Sequence, residues 1–418
     1  MEKLLIAGGA RLSGRLRVAG AKNSSLAIIA AAALAPDRST LENVPRCQDV
    51  LTFLEILRSI GVTAEFTGPG RLELDARTIT DHVAPYELCR QMRASIYIAG
   101  TLLGRLGRAE VPLPGGCVIG SRPVDFHIRG FETLGAQVVT QHGFLKAHAA
   151  RLSAATFYVP RSSMGTTINL MLAASRIAGA TILQNAAREP EIVDTAVLLS
   201  LMGAHVRGAG TSTITIEGSR DLKGATYTII PDRIEAGTYL IAAAATHGDV
   251  LIEDMISEHI TALLTKLSEA GATVAADPTG IRVQADTDLR PIDVDTAPYP
   301  GFATDLHPQL AAMLAVATGR SAIRETIFES RFGYADELRR MGADIRVEGD
   351  TATITGVPHL SGAPLQAMDI RAGAALVIAG LEARGETQIT NLENIDRGYE
   401  GLEQKLRTLG ANVQRVPA

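Results

Sequence analysis

One hydrophobic pattern runs through the chain six times. An amphipathic helix ends in an apolar residue, a glycine and a small residue, and an alternating strand follows. The endings are Ile60-Gly61-Val62, Leu134-Gly135-Ala136, Met202-Gly203-Ala204, Ala270-Gly271-Ala272, Met341-Gly342-Ala343 and Leu409-Gly410-Ala411. Their glycines are spaced by steps of 74, 68, 68, 71 and 68 residues, which is architecture rather than coincidence. Each glycine suits a helix C-terminus, where a left-handed residue ends the helix without steric cost. In the first copy Val50, Phe53, Leu54, Leu57 and Ile60 share one helical face. Thr213 to Ile216 illustrates the strands.

Ahead of each amphipathic helix stands an Ala-rich helix, apolar on nearly all sides and therefore buried, with its own strand. Leu26 to Ala35, Leu240 to Ala245 and Ala374 to Ala379 are examples. The run at Leu26 is apolar for only about ten residues, too short to span a bilayer. Six such units group best as two α/β globules of three, with the Ala-rich helices inside and the sheets and amphipathic helices outside. Domain I covers residues 22–230, and domain II covers 1–21 plus 231–418. The strand region from Leu4 to Val18 is expected to pair with the last unit and close the second globule. The chain then crosses between globules near Ala19 to Lys22 and near Ile229 to Asp232, the anatomy of a hinge.

Composition changes this picture little. The chain has 418 residues, 46% hydrophobic and 20% charged, with no Trp, and reads as a soluble globular protein. A net charge of -5 argues against a general nucleic-acid binder. Three cysteines point to a reducing compartment without a disulfide framework. No signal-peptide core or membrane span is visible, which places the protein in the cytoplasm.

Polar residues gather just before the Ala-rich helices. Lys22, Asn23 and Ser24 precede the first, Arg93 and Ser95 the second, and Arg161, Ser162, Ser163, Met164 and Gly165 the third. Asp232, Arg233 and Glu235 precede the fourth, Thr304 and Asp305 the fifth, and Asp369 and Arg371 the sixth. Helix capping accounts for Ser24, Ser163 and Asp305. It does not account for Lys22, Arg93 and Arg371, because cations oppose the dipole at an N-terminus. Those cations, with Arg331 and Arg397 in loops, suggest a cleft between two globules for a phosphorylated, carboxylated ligand. A Pro- and Gly-rich loop from Val111 to Phe126 holds Cys117, with Arg122 and Asp125 close by in sequence, a setting that can activate a thiol. No phosphate-cradling Gly-x4-Gly-Lys loop, dinucleotide motif or His/Cys metal cluster is present, so no metal site is expected. His82, His127, His142 and His307 read as ordinary histidines; His307 stays open because Asp305 is two residues away.

These segments resemble those of the UDP-N-acetylglucosamine 1-carboxyvinyltransferases, enolpyruvyl transferases of bacterial cell-wall synthesis within the superfamily of 5-enolpyruvylshikimate-3-phosphate synthase. The resemblance spans essentially the whole chain. It rests on Gly20 to Asn23, Met92 to Ser95, Leu113 to Cys117, Gly120 to Asp125, Asn185 to Glu191, Pro231 to Glu235, Thr304-Asp305 and Ile395 to Tyr399. It implies two inside-out α/β globules, each of three βαβαββ repeats, with the active-site cleft between them. It also implies addition of the sugar 3-hydroxyl to phosphoenolpyruvate followed by loss of phosphate, with no metal or organic cofactor. The substrates would be phosphoenolpyruvate and UDP-N-acetylglucosamine, without nucleic acid or membrane.

The resemblance also assigns roles. Lys22, Arg122 and Arg397 would hold the phosphate and carboxylate of phosphoenolpyruvate, with Asn23 lining the site and Arg93, Arg331 and Arg371 meeting negative charge nearby. Cys117 would be the general acid at C3, open to a covalent adduct with phosphoenolpyruvate or the epoxide fosfomycin. Asp305 would take the hydroxyl proton, and Asp369 would assist proton transfer. Arg122, Pro123, Val124, Asp125, Phe126, Arg161 to Gly165 and Ile327 would embrace the uridine diphosphate. Phe126 and Met164 depart from the commoner Leu and Val of the family. Two other readings remain: an enolpyruvyl transferase with a different acceptor, which would lack the uridine segment, and a silent paralogue, which would have lost Cys117, Lys22 or Asp305.

Overall fold

The computed structural model describes residues 2–115 and 124–417. Two compact units divide the chain. The first lies within residues 20–230, and the second gathers the segment up to Ala19 and the chain from Pro231 onward. Each has its own hydrophobic core.

In the first unit the Ala-rich pattern forms the helices Lys22–Ala32, Tyr97–Leu106 and Met164–Ala174. Contacts advance in step along all three, so they run parallel. Thr101 Oγ1 donates to Ala30 O at 3.0 Å, and Asn169 Oδ1 accepts from Gly100 N at 2.8 Å. Gly100 permits this approach, since a Cβ there would sit 2.2 Å from Asn169 Oδ1. The helices Gln48–Ser59, Asp125–Thr133 and Pro190–Leu201 flank the bundle; the last is not amphipathic as expected, since it exposes Val193, Val197 and Leu201 and buries Glu191 and Asp194. Val50, Phe53, Leu54, Leu57 and Ile60 are all buried, as their shared face requires. Truncating Phe53 to alanine would leave a cavity costing about 3–5 kcal/mol.

The second unit repeats the plan with buried helices Arg233–Ala245, His307–Leu314 and Ile370–Glu382. All six glycines of the repeat have positive φ, from 92° to 112°, as an unstrained helix stop demands. The strands leave their repeats through Asn43, Asn185, Asp254 and Asn391, also at positive φ, which Asn and Asp tolerate best.

Among the described residues there are five four-stranded sheets and one three-stranded sheet. The plan of each four-stranded sheet is one parallel pair extended by two antiparallel strands, and in the sheet of the last repeat Glu2–Ala7 supplies one of the inner strands. In the three-stranded sheet of Arg108–Pro112, Phe144–His148 and Gln137–Gln141, a single parallel bridge from Val83 to Glu110 stands in for the missing strand.

The N-terminal segment departs from expectation. Glu2–Ala7 does join the last repeat, antiparallel to Glu386–Thr390 and Asn412–Pro417. Ser13–Arg17 instead pairs in parallel with Asp249–Glu253 of the fourth repeat. Thr226–Thr228, which precedes the fourth buried helix, pairs with Arg38–Glu42 of the first repeat. The strands that precede the first and fourth buried helices have thus exchanged sheets. Among the described residues no helix is long and apolar enough to cross a membrane.

Candidate functional site

The N-terminal ends of the three parallel helices bring one set of expected residues to one end of the first unit. Lys22 opens the first helix, Arg93 the short turn leading into the second, and Ser163 caps the third through Thr166 N at 3.3 Å. Lys22 is buried, and its Nζ meets the equally buried Asp49 Oδ2 at 3.1 Å. That partner answers the question of how a cation tolerates a helix N-terminus. Asn23, Met164 and Gly165 are half-buried, as are Ser162 and Ser163, while Arg161 is exposed.

Ser24 is no cap. It lies inside the helix, and its hydroxyl donates to buried Asp194. Burial raises the Asp194 pKa, and hydrogen bonds from Ser24 and Tyr227 hold the rise in check.

Val124, Asp125 and Phe126 stand at the start of the Asp125–Thr133 helix, half-buried. Asp125 Oδ1 is buried and takes no hydrogen bond among the described residues. The same helix carries His127, whose Nδ1 lies 2.9 Å from Asn169 Nδ2. Cys117, Arg122 and Pro123 lie outside the described residues. The other two cysteines, Cys47 and Cys89, are buried, and burial pushes the Cys89 thiol up to about 12.

Burial, aided by the charge of Arg93, drives the His127 pKa from 6.5 down to about 3. The unfolded chain therefore takes up a proton between these values that the native state refuses, so stability falls as pH drops through that window. We expect a loss of roughly 1 kcal/mol from this residue between about pH 6.5 and 5.5. His127→Gln should remove that part of the slope in urea unfolding at the two pH values. An unchanged slope would show that His127 is protonated in the native state.

In the second unit Asp305 is the centre of a cation cluster rather than a cap. The following helix is preceded by Leu306 and has no side-chain cap. Asp305 Oδ1 accepts from Arg331 Nη2 at 2.7 Å, and Oδ2 from Arg371 Nε and Nη2 at 3.1 Å each. Both arginines are buried, whereas the Asp305 side chain is 26% exposed. Burial opposes the Arg371 charge, but Tyr399, Asp305 and Asp232 more than compensate and raise its pKa. Arg371 also lies 5.4 Å from the Tyr399 ring, and Arg331 lies 5.3 Å from that of Phe328. Asp369 caps its helix, accepting from Arg371 N at 2.7 Å and Ala372 N at 3.0 Å. Arg397 is half-buried at the end of the Leu392–Asp396 helix.

Glu325 is a buried neighbour of this cluster that sequence reasoning missed. Its buried carboxylate accepts from Ile327 N at 2.7 Å, Phe328 N at 2.9 Å and Thr304 Oγ1 at 2.8 Å. Thr304 Oγ1 accepts in turn from Arg331 Nη1 at 2.9 Å. Glu325 thus orders both the Ile327 loop and the arginine that holds Asp305. A signal existed: Glu325 follows its strand where Asn43, Asn185, Asp254 and Asn391 follow theirs. His307 is wholly buried between Phe332 and Tyr334. Its Nε2 lies 3.2 Å from Glu325 Oε2 without hydrogen-bond alignment. Burial and the charge of Arg331 hold His307 well below its ordinary pKa, with Asp305 only partly opposing them.

Parallel buried helices with charged N-termini, in two units of three repeats, define an α/β fold shared with known proteins. An enolpyruvyl transferase, NikO from Streptomyces tendae, superposes with a TM-score of 0.89 at 28% identity, covering 100% of this chain and 99% of that one. The sequence model of the family described as EPSP synthase (3-phosphoshikimate 1-carboxyvinyltransferase) matches residues 6–406. UDP-N-acetylglucosamine 1-carboxyvinyltransferase 2 of Carboxydothermus hydrogenoformans is 50% identical over 418 residues, the whole of both chains. The protein of the same name from Symbiobacterium thermophilum is 50% identical over 416 residues, 99% of this chain and 98% of that one. The chain belongs to the EPSP synthase family and, within it, to the UDP-N-acetylglucosamine 1-carboxyvinyltransferases.

Proposed function

We propose that the protein transfers the enolpyruvyl group of phosphoenolpyruvate to the 3-hydroxyl of UDP-N-acetylglucosamine and releases phosphate, the first committed step of peptidoglycan synthesis, in the cytoplasm. The observation that carries this reading is end-to-end identity of 50% with proteins bearing that activity as their name. The charge arrangement supports it: Lys22, Arg93, Arg331, Arg371 and Arg397 are cations suited to phosphate and carboxylate.

The chemistry asks for an acid at C3 and a base at the hydroxyl. Protonation of C3 makes C2 electrophilic, the sugar oxygen adds there as its proton leaves, and loss of a proton from C3 then expels phosphate and restores the double bond. Cys117 is the proposed acid and Asp305 the proposed base. Asp369 assists proton transfer, and its cap bonds fix its direction at the helix start. Lys22, Asn23, Arg122 and Arg397 hold phosphoenolpyruvate, while fixed cations meet charge on the departing phosphate. Pro123 to Phe126, Arg161 to Gly165 and Ile327 take the uridine diphosphate, with the Asp125 Oδ1 acceptor available to a ligand N–H or O–H.

Phosphate release from phosphoenolpyruvate is the test. It should require UDP-N-acetylglucosamine and cease after fosfomycin, with one equivalent of added mass, on Cys117. Cys47 and Cys89 are buried and should stay unmodified. Release with shikimate 3-phosphate in place of the nucleotide sugar would transfer the protein to the sister activity. Folded protein inert with either acceptor would be the silent paralogue.

A further inference from the structure

The second and third of the parallel helices of the first unit end, away from Arg93 and Ser163, beside a cavity of about 480 Å³. A helix of ten or eleven residues is roughly 15 Å long, so this cavity is distinct from the N-terminal end of the bundle. Arg105, Arg151, Arg176 and Arg220 line it, and none of its lining residues is acidic.

Two of the four have a partial structural explanation. Arg105 Nη1 donates to Ala33 O at 2.8 Å and Ala35 O at 2.9 Å, and its Nη2 reaches Arg77 O at 3.4 Å. Arg176 Nη1 donates to Leu34 O at 3.1 Å. The Ala33, Leu34 and Ala35 carbonyls follow the end of the first helix, where a cation complements the dipole. Arg151 and Arg220 do no such work: they are exposed, and no protein hydrogen bond engages them among the described residues. A guanidinium carries five donors, so most of the donor capacity round this cavity is unspent. The like charges also strain one another. Burial and the neighbouring Arg176 depress Arg105 to about 10. Arg176 is lowered by burial, with Asp221 opposing and Arg220 adding to the fall.

We propose that this cavity binds a small, multiply charged phosphate anion, a pyrophosphate group taken either free or as the tail of a nucleotide. Four arginines round one cavity call for several negative charges in a compact space, and guanidinium forks match phosphate oxygens. The volume is in the range of small-molecule sites and exceeds what one phosphate fills.

Calorimetric titration of the full chain with sodium pyrophosphate, and separately with ADP, tests this. Pyrophosphate should bind the wild type, more weakly as salt rises. R151Q/R220Q should weaken binding at least about tenfold, the scale of losing charged hydrogen bonds, while phosphate-releasing activity is unchanged. The single variants should lie between, which keeps the test readable if the double variant folds poorly. ADP binding with the same sensitivity identifies a nucleotide tail, and pyrophosphate binding alone identifies the inorganic anion. Binding that R151Q/R220Q leaves intact but Arg397→Gln removes belongs to the phosphoenolpyruvate site and overturns the proposal. So does the absence of binding at millimolar pyrophosphate.

Discussion

Asp305→Ala should lower kcat/KM by roughly a hundred- to ten-thousandfold, the scale of losing a general base, and destabilise the fold at the same time. Its carboxylate holds Arg331 through one oxygen and Arg371 through the other. Both guanidinium groups are buried, so removing the shared anion leaves two cations that water cannot easily solvate. Breaking one partner of a buried pair costs about 3–5 kcal/mol. Asp305 is a quarter exposed and Arg331 keeps Thr304 Oγ1, which reduces the expected loss to roughly 2–3 kcal/mol. Asp305→Asn separates the two effects, because an amide oxygen still accepts from one arginine but the side chain no longer takes a proton. Urea unfolding should show most of the stability recovered while phosphate release stays slow. An Asn variant with near wild-type turnover would remove Asp305 from the proton transfer and leave it as an arginine clamp.

Lys22→Met should produce the second large loss. Methionine keeps most of the apolar stem and discards the charge. Asp49, buried beside Lys22, would lose this cation, at a cost of about 3 kcal/mol or more. If Lys22 also holds phosphoenolpyruvate, KM for that substrate should rise steeply and kcat should fall, while affinity for UDP-N-acetylglucosamine changes little. Lys22→Arg tests shape, because a planar guanidinium cannot replace a compact ammonium against both Asp49 and a substrate oxyanion. A variant that loses stability but keeps KM for phosphoenolpyruvate would make Lys22 a structural residue.

Local chemistry made much of the fold legible. A glycine that must adopt positive φ is a strong mark, and six at regular intervals revealed the repeat. Helices apolar on all sides announced their own burial. Cations at helix N-termini stood out because they oppose the dipole, and that contradiction pointed to the candidate site. Rules of local reach failed where partners lie far away in sequence. Ser24 and Asp305 look like caps until Asp194, Arg331 and Arg371 come into view. Ser13–Arg17 carries no mark of its partner, because parallel pairing with Asp249–Glu253 depends on packing far along the chain. Nothing in the sequence marks Asp49 among first-turn acids, and its 3.1 Å contact with Lys22 emerges only in the fold.

Synthesis on the ribosome meets the exchanged strands as a problem of timing. Thr228 bonds to Glu42 across 186 residues, so the first unit acquires its last strand only when its final segment emerges. The N-terminal strand waits far longer, since Lys3 reaches Gln388 across 385 residues. Until residues 386–390 and 412–417 have been made, Glu2–Ala7 has neither neighbour in its sheet. Pairings this distant form slowly, and the strands concerned remain exposed meanwhile. A nascent chain arrested between the two units would therefore carry one folded unit and two unpaired strands, Glu2–Ala7 and Ser13–Arg17, the kind of species that chaperones intercept.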